Sequence, residues 1–129
     1  MTNFIPIFPL GIVVYPGEKL HLHIFEERYK QLIRECRDTG RFFGIPAVIQ
    51  NKVCERGMLM QLKEIVQEYE NGEMDIRTEG VRVFTVLEFI RNVPDKLYSG
   101  AIVTYPENTL DRGRPDLMSR VVKLSLIHI

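Results

Sequence analysis

The sequence predicts a mainly β fold with one long helix (α+β), built as an antiparallel barrel that is closed or nearly closed. Three observations predict it. Apolar and polar residues alternate in several short runs, most cleanly in Lys19–Ile24 and Glu73–Thr78, and strict alternation marks a strand with one buried face. A single long segment, beginning at Glu26, switches to the helical period. Asn71-Gly72 stands between two strand runs, a strong short-range hairpin signal. About six to eight strands separated by turns favour a barrel, because closure removes exposed strand edges.

Taken in order, Phe4–Phe8 and Ile12–Val14 read as short buried strands, the first placed at a sheet edge by Pro6 and Pro9, which give the ladder no donor. A Tyr15-Pro16-Gly17 turn leads into Lys19–Ile24, where Leu20, Leu22 and Ile24 share one face and Lys19, His21 and His23 the other. Helix Glu26–Arg37 follows from the stripe Tyr29, Leu32, Ile33 and Cys36. Its first turn is acidic, its last turn basic, and Gly40 lies just beyond as a stop. Arg41–Gln50 returns to strand, with Gly44 and Pro46 suggesting a bulge or an edge, and Asn51–Gly57 reads as a polar loop. Ile65–Tyr69 and Glu73–Arg77 should pair through a type I′ turn with positive φ at both Asn71 and Gly72. In Met58–Val66 the apolar parity shifts, and a bulge near Lys63-Glu64 would reconcile its halves. Val81–Ile90 and Ser99–Tyr105 complete the strands, joined by a loop around Pro94-Asp95.

Several of these pieces together resemble a known family. Pro6-Ile7-Phe8-Pro9-Leu10, Val14-Tyr15-Pro16-Gly17, Leu20–Ile24, Phe25–Tyr29, Gly80-Val81-Arg82-Val83-Phe84 and the strand Tyr98–Tyr105 follow, in that order, the pattern of the Lon N-terminal domain, the substrate-binding module of Lon-type proteases. The resemblance implies a PUA-like antiparallel β pseudo-barrel over residues 1–106, followed by a helical part. Residues 107–123 then read as a linker and the beginning of that helical portion, with Leu117, Met118, Val121 and Val122 left short of packing partners. Residues 124–129, Leu-Ser-Leu-Ile-His-Ile, are the translation of a transposon adapter end used in sequencing libraries, and are read as an artefact of the record. The compact opening and the wording Leu-His-Ile-Phe-Glu-Glu-Arg-Tyr look like the small free-standing bacterial members. The alternative is the beginning of a full ATP-dependent Lon protease.

Charge and motifs narrow the function. Seventeen basic residues balance seventeen acidic ones, so the chain lacks the basic footprint of a general nucleic-acid binder. No run is apolar for the ~20 residues a bilayer span needs, and residues 1–17 do not read as a signal peptide, so a cytoplasmic location is expected. No G-x-x-x-x-G-K-[ST] loop is present to cradle phosphates. The serines, Ser99, Ser119 and Ser125, have no recognisable base nearby in sequence. A non-enzymatic chain without cofactor is the expectation. His21-Leu22-His23 would point two imidazoles to one face, but no third ligand has a suitable spacing, and solvent-side polar residues are the preferred reading. Cys36 reads as a small buried hydrophobe.

What remains is recognition. The resemblance implies a module that recognises unfolded or exposed apolar polypeptide, working with a protease or chaperone. Candidate contact residues are Glu26, Glu27 and Arg28 at the helix start, and Met58 and Met60, whose side chains suit adaptable apolar contacts. Each has a structural alternative: helix bracing for the first three, core packing for the methionines. RNA binding, as in other PUA-type barrels, and a small-molecule pocket in the barrel mouth are the competing functions.

Overall fold

A computed structural model of the chain describes residues 2–10, 12–106 and 127–128. Its elements are β1 (Thr2–Pro6), β2 (Lys19–Ile24), α1 (Glu27–Thr39), β3 (Phe43–Ile49), β4 (Lys52–Glu68), β5 (Met74–Ile90), β6 (Gly100–Thr104) and β7 (Ile127–His128). The expected class is present: an antiparallel β framework with one long helix. Residues 107–126, which include Leu117, Met118, Val121 and Val122, lie outside the described residues.

Strands β4 and β5 organise everything. Each runs 17 residues, and they pair antiparallel along most of that length. At one end, β5 also pairs β6, which pairs β1, while β4 pairs β3. The ring β1-β6-β5-β4-β3 is brought together by two isolated bridges, Ile7↔Gly44 and Leu10↔Ala47, rather than by a continuous ladder. It is therefore a pseudo-barrel, not fully closed. At the other end, β5 lies between β4 and β2, forming an arm that extends away from the barrel.

Two cores result. Ile5, Ile7, Leu59, Phe84, Val86, Ala101 and Val103 fill the barrel. The larger core lies between the arm and α1, and includes Phe8, Leu20, Leu22, Ile24, Tyr29, Leu32, Ile33 and Cys36. Helix α1 buries the stripe its period predicts, Tyr29, Leu32, Ile33 and Cys36, and ends where Gly40 turns left-handed at φ 72° and donates to the Cys36 carbonyl. The 91–99 segment braces the helix from outside: Lys96 and the Tyr98 hydroxyl both bond Glu35, and the Leu97 amide donates to Gln31.

Three sequence expectations need correction. Ile12–Val14 is not a strand. The chain there crosses from β1 towards β2, with Pro9 and Pro16 denying donors and Val14 simply buried in the large core. Of the expected loop Asn51–Gly57, only Asn51 lies in a turn; Lys52–Gly57 is the first third of β4. Its polar residues are exposed because that end of the strand faces solvent. The positive-φ pair expected at the Asn71-Gly72 turn occurs instead at Gln50 (φ 52°) and Asn51 (φ 64°), which join β3 to β4.

At the arm's tip, only Gly72 has positive φ, at 89°. Gly72 donates to the Tyr69 carbonyl and Tyr69 to the Glu73 carbonyl, so the loop holds three residues, Glu70-Asn71-Gly72, the last one left-handed. The expected strands nonetheless pair, with Ile65 opposite Ile76 and Glu64 opposite Arg77, and the ladder shifts between Leu62 and Glu64 where a bulge was expected.

Candidate functional site

Helix start and hairpin tip, more than forty residues apart in sequence, meet around His23. The link is Lys30. It is almost wholly buried (5% exposed), it pairs with Glu27 at 2.7 Å, and it donates to the Asn71 carbonyl at 3.0 Å. A lysine ammonium hidden this deeply needs such partners, since an unpaired buried charge costs several kcal/mol. Lys30's hydrogen bond and charge in turn hold the Glu27 carboxyl below its usual range. Gly72 is pressed close to the same helix: a Cβ there would lie 3.0 Å from the Arg34 guanidinium.

His23 sits at the centre of this junction. Nδ1 lies 2.5 Å from Asp75 Oδ1 and Nε2 2.9 Å from Glu73 Oε1. The Tyr69 hydroxyl donates to the other Asp75 oxygen at 2.5 Å, and the Asn71 amide donates to the other Glu73 oxygen at 2.7 Å. Only 15% of the His23 side chain is exposed, so two carboxylates face it with little water between. The hydrogen bond that the imidazole donates to Asp75 leads in raising its pKa; burial opposes it, and Glu73 adds to the rise.

The pH consequence follows. The folded His23 holds its proton more tightly than the unfolded value of 6.5, so its contribution to stability is fully present below 6.5 and is lost as pH rises through the folded pKa. Thermal unfolding of the wild type should show this loss on the alkaline side of 6.5, and His23→Gln should flatten that part of the profile. An unchanged profile in the variant would remove His23 from the account.

Two exposed aromatics flank the histidine. Phe25 (45% exposed) lies with its ring 6.3 Å from the imidazole and Tyr69 (41% exposed) with its ring 5.8 Å away, edge-on. Beside them is an open depression of about 370 Å³, lined by His23, Tyr69, Glu70, Asn71 and Glu73. A second, of about 380 Å³, is lined by His21, Glu64, Val66, Asp75, Ile76 and Arg77, with Val66 54% exposed. The outer face of the arm thus offers apolar side chains set among charges of both signs.

The sequence-derived candidates divide. Glu26, Glu27 and Arg28 are on this surface, next to Phe25. Arg28 also braces the helix start, bonding Glu26 at 3.1 Å and covering the Tyr29 ring at 4.7 Å. Met58 and Met60 are elsewhere: at 1% and 0% exposure they pack into the large core, so they offer no contact to a partner while the fold is intact. The reason is the position of β4. There it lies between the two cores, with Leu59 directed into the barrel and its methionine neighbours into the other core. Phe25 and Tyr69 were missed as candidates. The available signal was an aromatic at the end of each flanking strand, off the alternating apolar face.

No group of three or more histidine, cysteine or carboxylate side chains placed to hold a metal ion occurs among the described residues. No helix among them is long and apolar enough to cross a membrane.

A family model described as the ATP-dependent protease La (LON) substrate-binding domain matches residues 5–126. The chain belongs to that family. The solved Lon N-terminal domain protein from Xanthomonas campestris is 26% identical, with a TM-score of 0.68 over 92% of this chain and 74% of that one. The N-terminal domain of the Mycobacterium avium complex Lon protease shares the fold at 13% identity, with a TM-score of 0.64 over 81% of this chain and 56% of that one.

Proposed function

We propose that this Lon-type domain is a non-catalytic module that holds unfolded or apolar-exposing polypeptide in the cytoplasm for a protease or chaperone. The observation that carries the reading is the family match across residues 5–126. The arm's outer face supports the placement: Phe25, Tyr69 and Val66 are exposed apolar side chains that a soluble domain gains by covering. Glu26, Glu27 and Arg28 rim them and orient a client through charges of both signs. Met58 and Met60 act at one remove, as core beneath the strands that display this surface.

Binding should be weak. An unfolded client loses conformational entropy on docking, and a chain with no net charge has no overall field to steer it. Affinities on the order of micromolar or poorer fit, ~8 kcal/mol or less of binding free energy. The test is a titration of the full chain with a permanently unfolded polypeptide and with single-stranded RNA, each at low and high salt. Polypeptide binding that survives salt is expected, because the contact is largely apolar. Phe25→Ser should weaken it about ten-fold, by the loss of one buried aromatic contact, while Leu87→Ser, an exposed apolar residue on the barrel, should change it little. Tight, salt-sensitive RNA binding with no polypeptide signal would overturn the reading, since phosphate contacts release counterions and weaken steeply with salt.

A further inference from the structure

One imidazole joins the strand that leads to Phe25 to the hairpin that carries Tyr69. His23 lies on β2, two residues before Phe25, and Asp75 stands opposite it on β5. Glu73 comes from the arm's tip, where its carbonyl accepts from the Tyr69 amide. Both ring nitrogens are engaged, Nδ1 with Asp75 and Nε2 with Glu73. An ionised carboxylate only accepts hydrogen bonds, so both nitrogens must donate, and only the imidazolium has two N–H groups. The geometry is that of the protonated ring.

Losing the proton affects the two contacts unequally. Asp75 is the ladder partner of His23, and the Tyr69 hydroxyl holds its second oxygen, so it stays and keeps the remaining N–H. Glu73 belongs to the tip loop, where Asn71 holds its amide and its second carboxylate oxygen. With Nε2 deprotonated, a lone pair faces that carboxylate across 2.9 Å, and Glu73 turns away. The depression lined by His23, Tyr69, Glu70, Asn71 and Glu73 then carries one more uncompensated negative charge. An apolar client covering it would have to desolvate that charge. The other titratable or charged groups around the ring are His21 on the same face of β2, Arg77 with its partner Glu64, and Glu27 with Lys30. His128 in β7 stands opposite His23 along the backbone.

We propose that His23 is a proton-controlled latch on the polypeptide-binding face: protonated, it ties Glu73 and the hairpin tip to β2 so that Phe25 and Tyr69 form one client surface, and deprotonated, it releases Glu73 and weakens client binding. This adds regulation to the polypeptide-binding reading and rests on it. The two carboxylates raise the His23 pKa, which puts the change on the alkaline side of 6.5. By linkage, a client that favours the protonated ring also makes the ring hold its proton more tightly.

The experiment titrates the full chain with a permanently unfolded, histidine-free polypeptide from about pH 6 to about pH 9, below the unfolding transition throughout. Affinity should fall about ten-fold across the range, the equivalent of one unit of pKa difference between free and bound protein. The His23 ring, followed by NMR, should titrate at higher pH in the complex. Glu73→Gln should flatten the profile, because its amide accepts from the imidazolium and donates to the neutral ring. His23→Gln should flatten it too, while His21→Ala and His128→Ala should keep the ten-fold fall. A flat wild-type profile, an unshifted His23 titration, or a fall that persists in Glu73→Gln would overturn the latch and leave the polypeptide-binding reading intact. No polypeptide binding at any pH would overturn both.

Discussion

Replacing Phe8 with alanine should destabilise the domain by about 3–5 kcal/mol, the range for deleting a large buried aromatic. Phe8 is fully buried, its ring stacked on Tyr29 at 3.8 Å between centroids and 6.1 Å from the Phe43 ring. It follows β1, and its amide donates to the Gly44 carbonyl at 2.8 Å, so one residue joins the N-terminal segment, β3 and α1. Alanine keeps the amide hydrogen bond and loses all the ring contacts. The cavity opens at the contact of three separate elements, none of which can relax into it without giving up its own pairing. Against a total stability of about 5–15 kcal/mol, the loss leaves the fold marginal. Urea unfolding should show the midpoint falling at unchanged slope. A loss below about 1 kcal/mol would mean that Phe8 does not hold these elements together.

Gly57→Ala should cost about 2–3 kcal/mol, although in most strand positions the same change is harmless or helpful. A Cβ at Gly57 would lie 2.4 Å from the Ile45 carbonyl oxygen, 2.6 Å from Pro46 Cα and 2.6 Å from the Phe84 ring. Two of those neighbours are backbone, so relief requires β3 to move away from β4, against the pairing of Pro46 with Gly57. The third is the ring at the centre of the barrel core. Phe84 also lies over Gly44, where an added Cβ would come within 2.7 Å of it, so both glycines leave room for one phenylalanine. A double-mutant cycle with Phe84→Leu separates the causes. The smaller side chain should recover part of the Gly57→Ala loss and leave the backbone part. Full recovery would assign the whole clash to the ring, and no recovery would assign it to β3.

The two substitutions lie on opposite sides of what a sequence can report. Burial of Phe8 follows from its apolar run. That a single glycine in β4 must remain glycine does not, because the atoms it would strike belong to β3 and β5. In the sequence, Gly44 suggested a bulge or an edge; the register does shift between Pro46 and Val48, but the seat for Phe84 appears only when three strands are assembled. The same holds for Met58–Met60. Alternation is readable when one face of a strand is wet, and it disappears where β4 has a core on each side, with Met58, Leu59 and Met60 all buried.

The candidate site divides in the same way. Glu26, Glu27 and Arg28 were legible as exposed charge at a helix start. Their partner surface was not, because Lys30 connects them to Asn71 across 41 residues by a hydrogen bond to a backbone carbonyl, which no side-chain pattern records. The turn at the arm's tip was misread for a related reason. Asn-Gly permits a two-residue turn, but in the folded chain Asn71 holds the Glu73 amide and side chain while Lys30 holds its carbonyl, and the loop settles at three residues.

By itself, the sequence determined what depends on near neighbours: the helix, read as Glu26–Arg37 and formed as Glu27–Thr39, with its buried stripe and Gly40 stop, the alternation of β2, the pairing of Ile65–Tyr69 with Glu73–Arg77, and a bulge near Lys63-Glu64. These follow from periods of 3.6 and 2 and from single-residue backbone preferences, which act over a few residues. Tertiary structure alone decided which strand lies between two cores, which glycines seat a ring, and which distant segments meet at His23. Those outcomes depend on contacts between elements, and their energies exist only once the chain has brought the elements together.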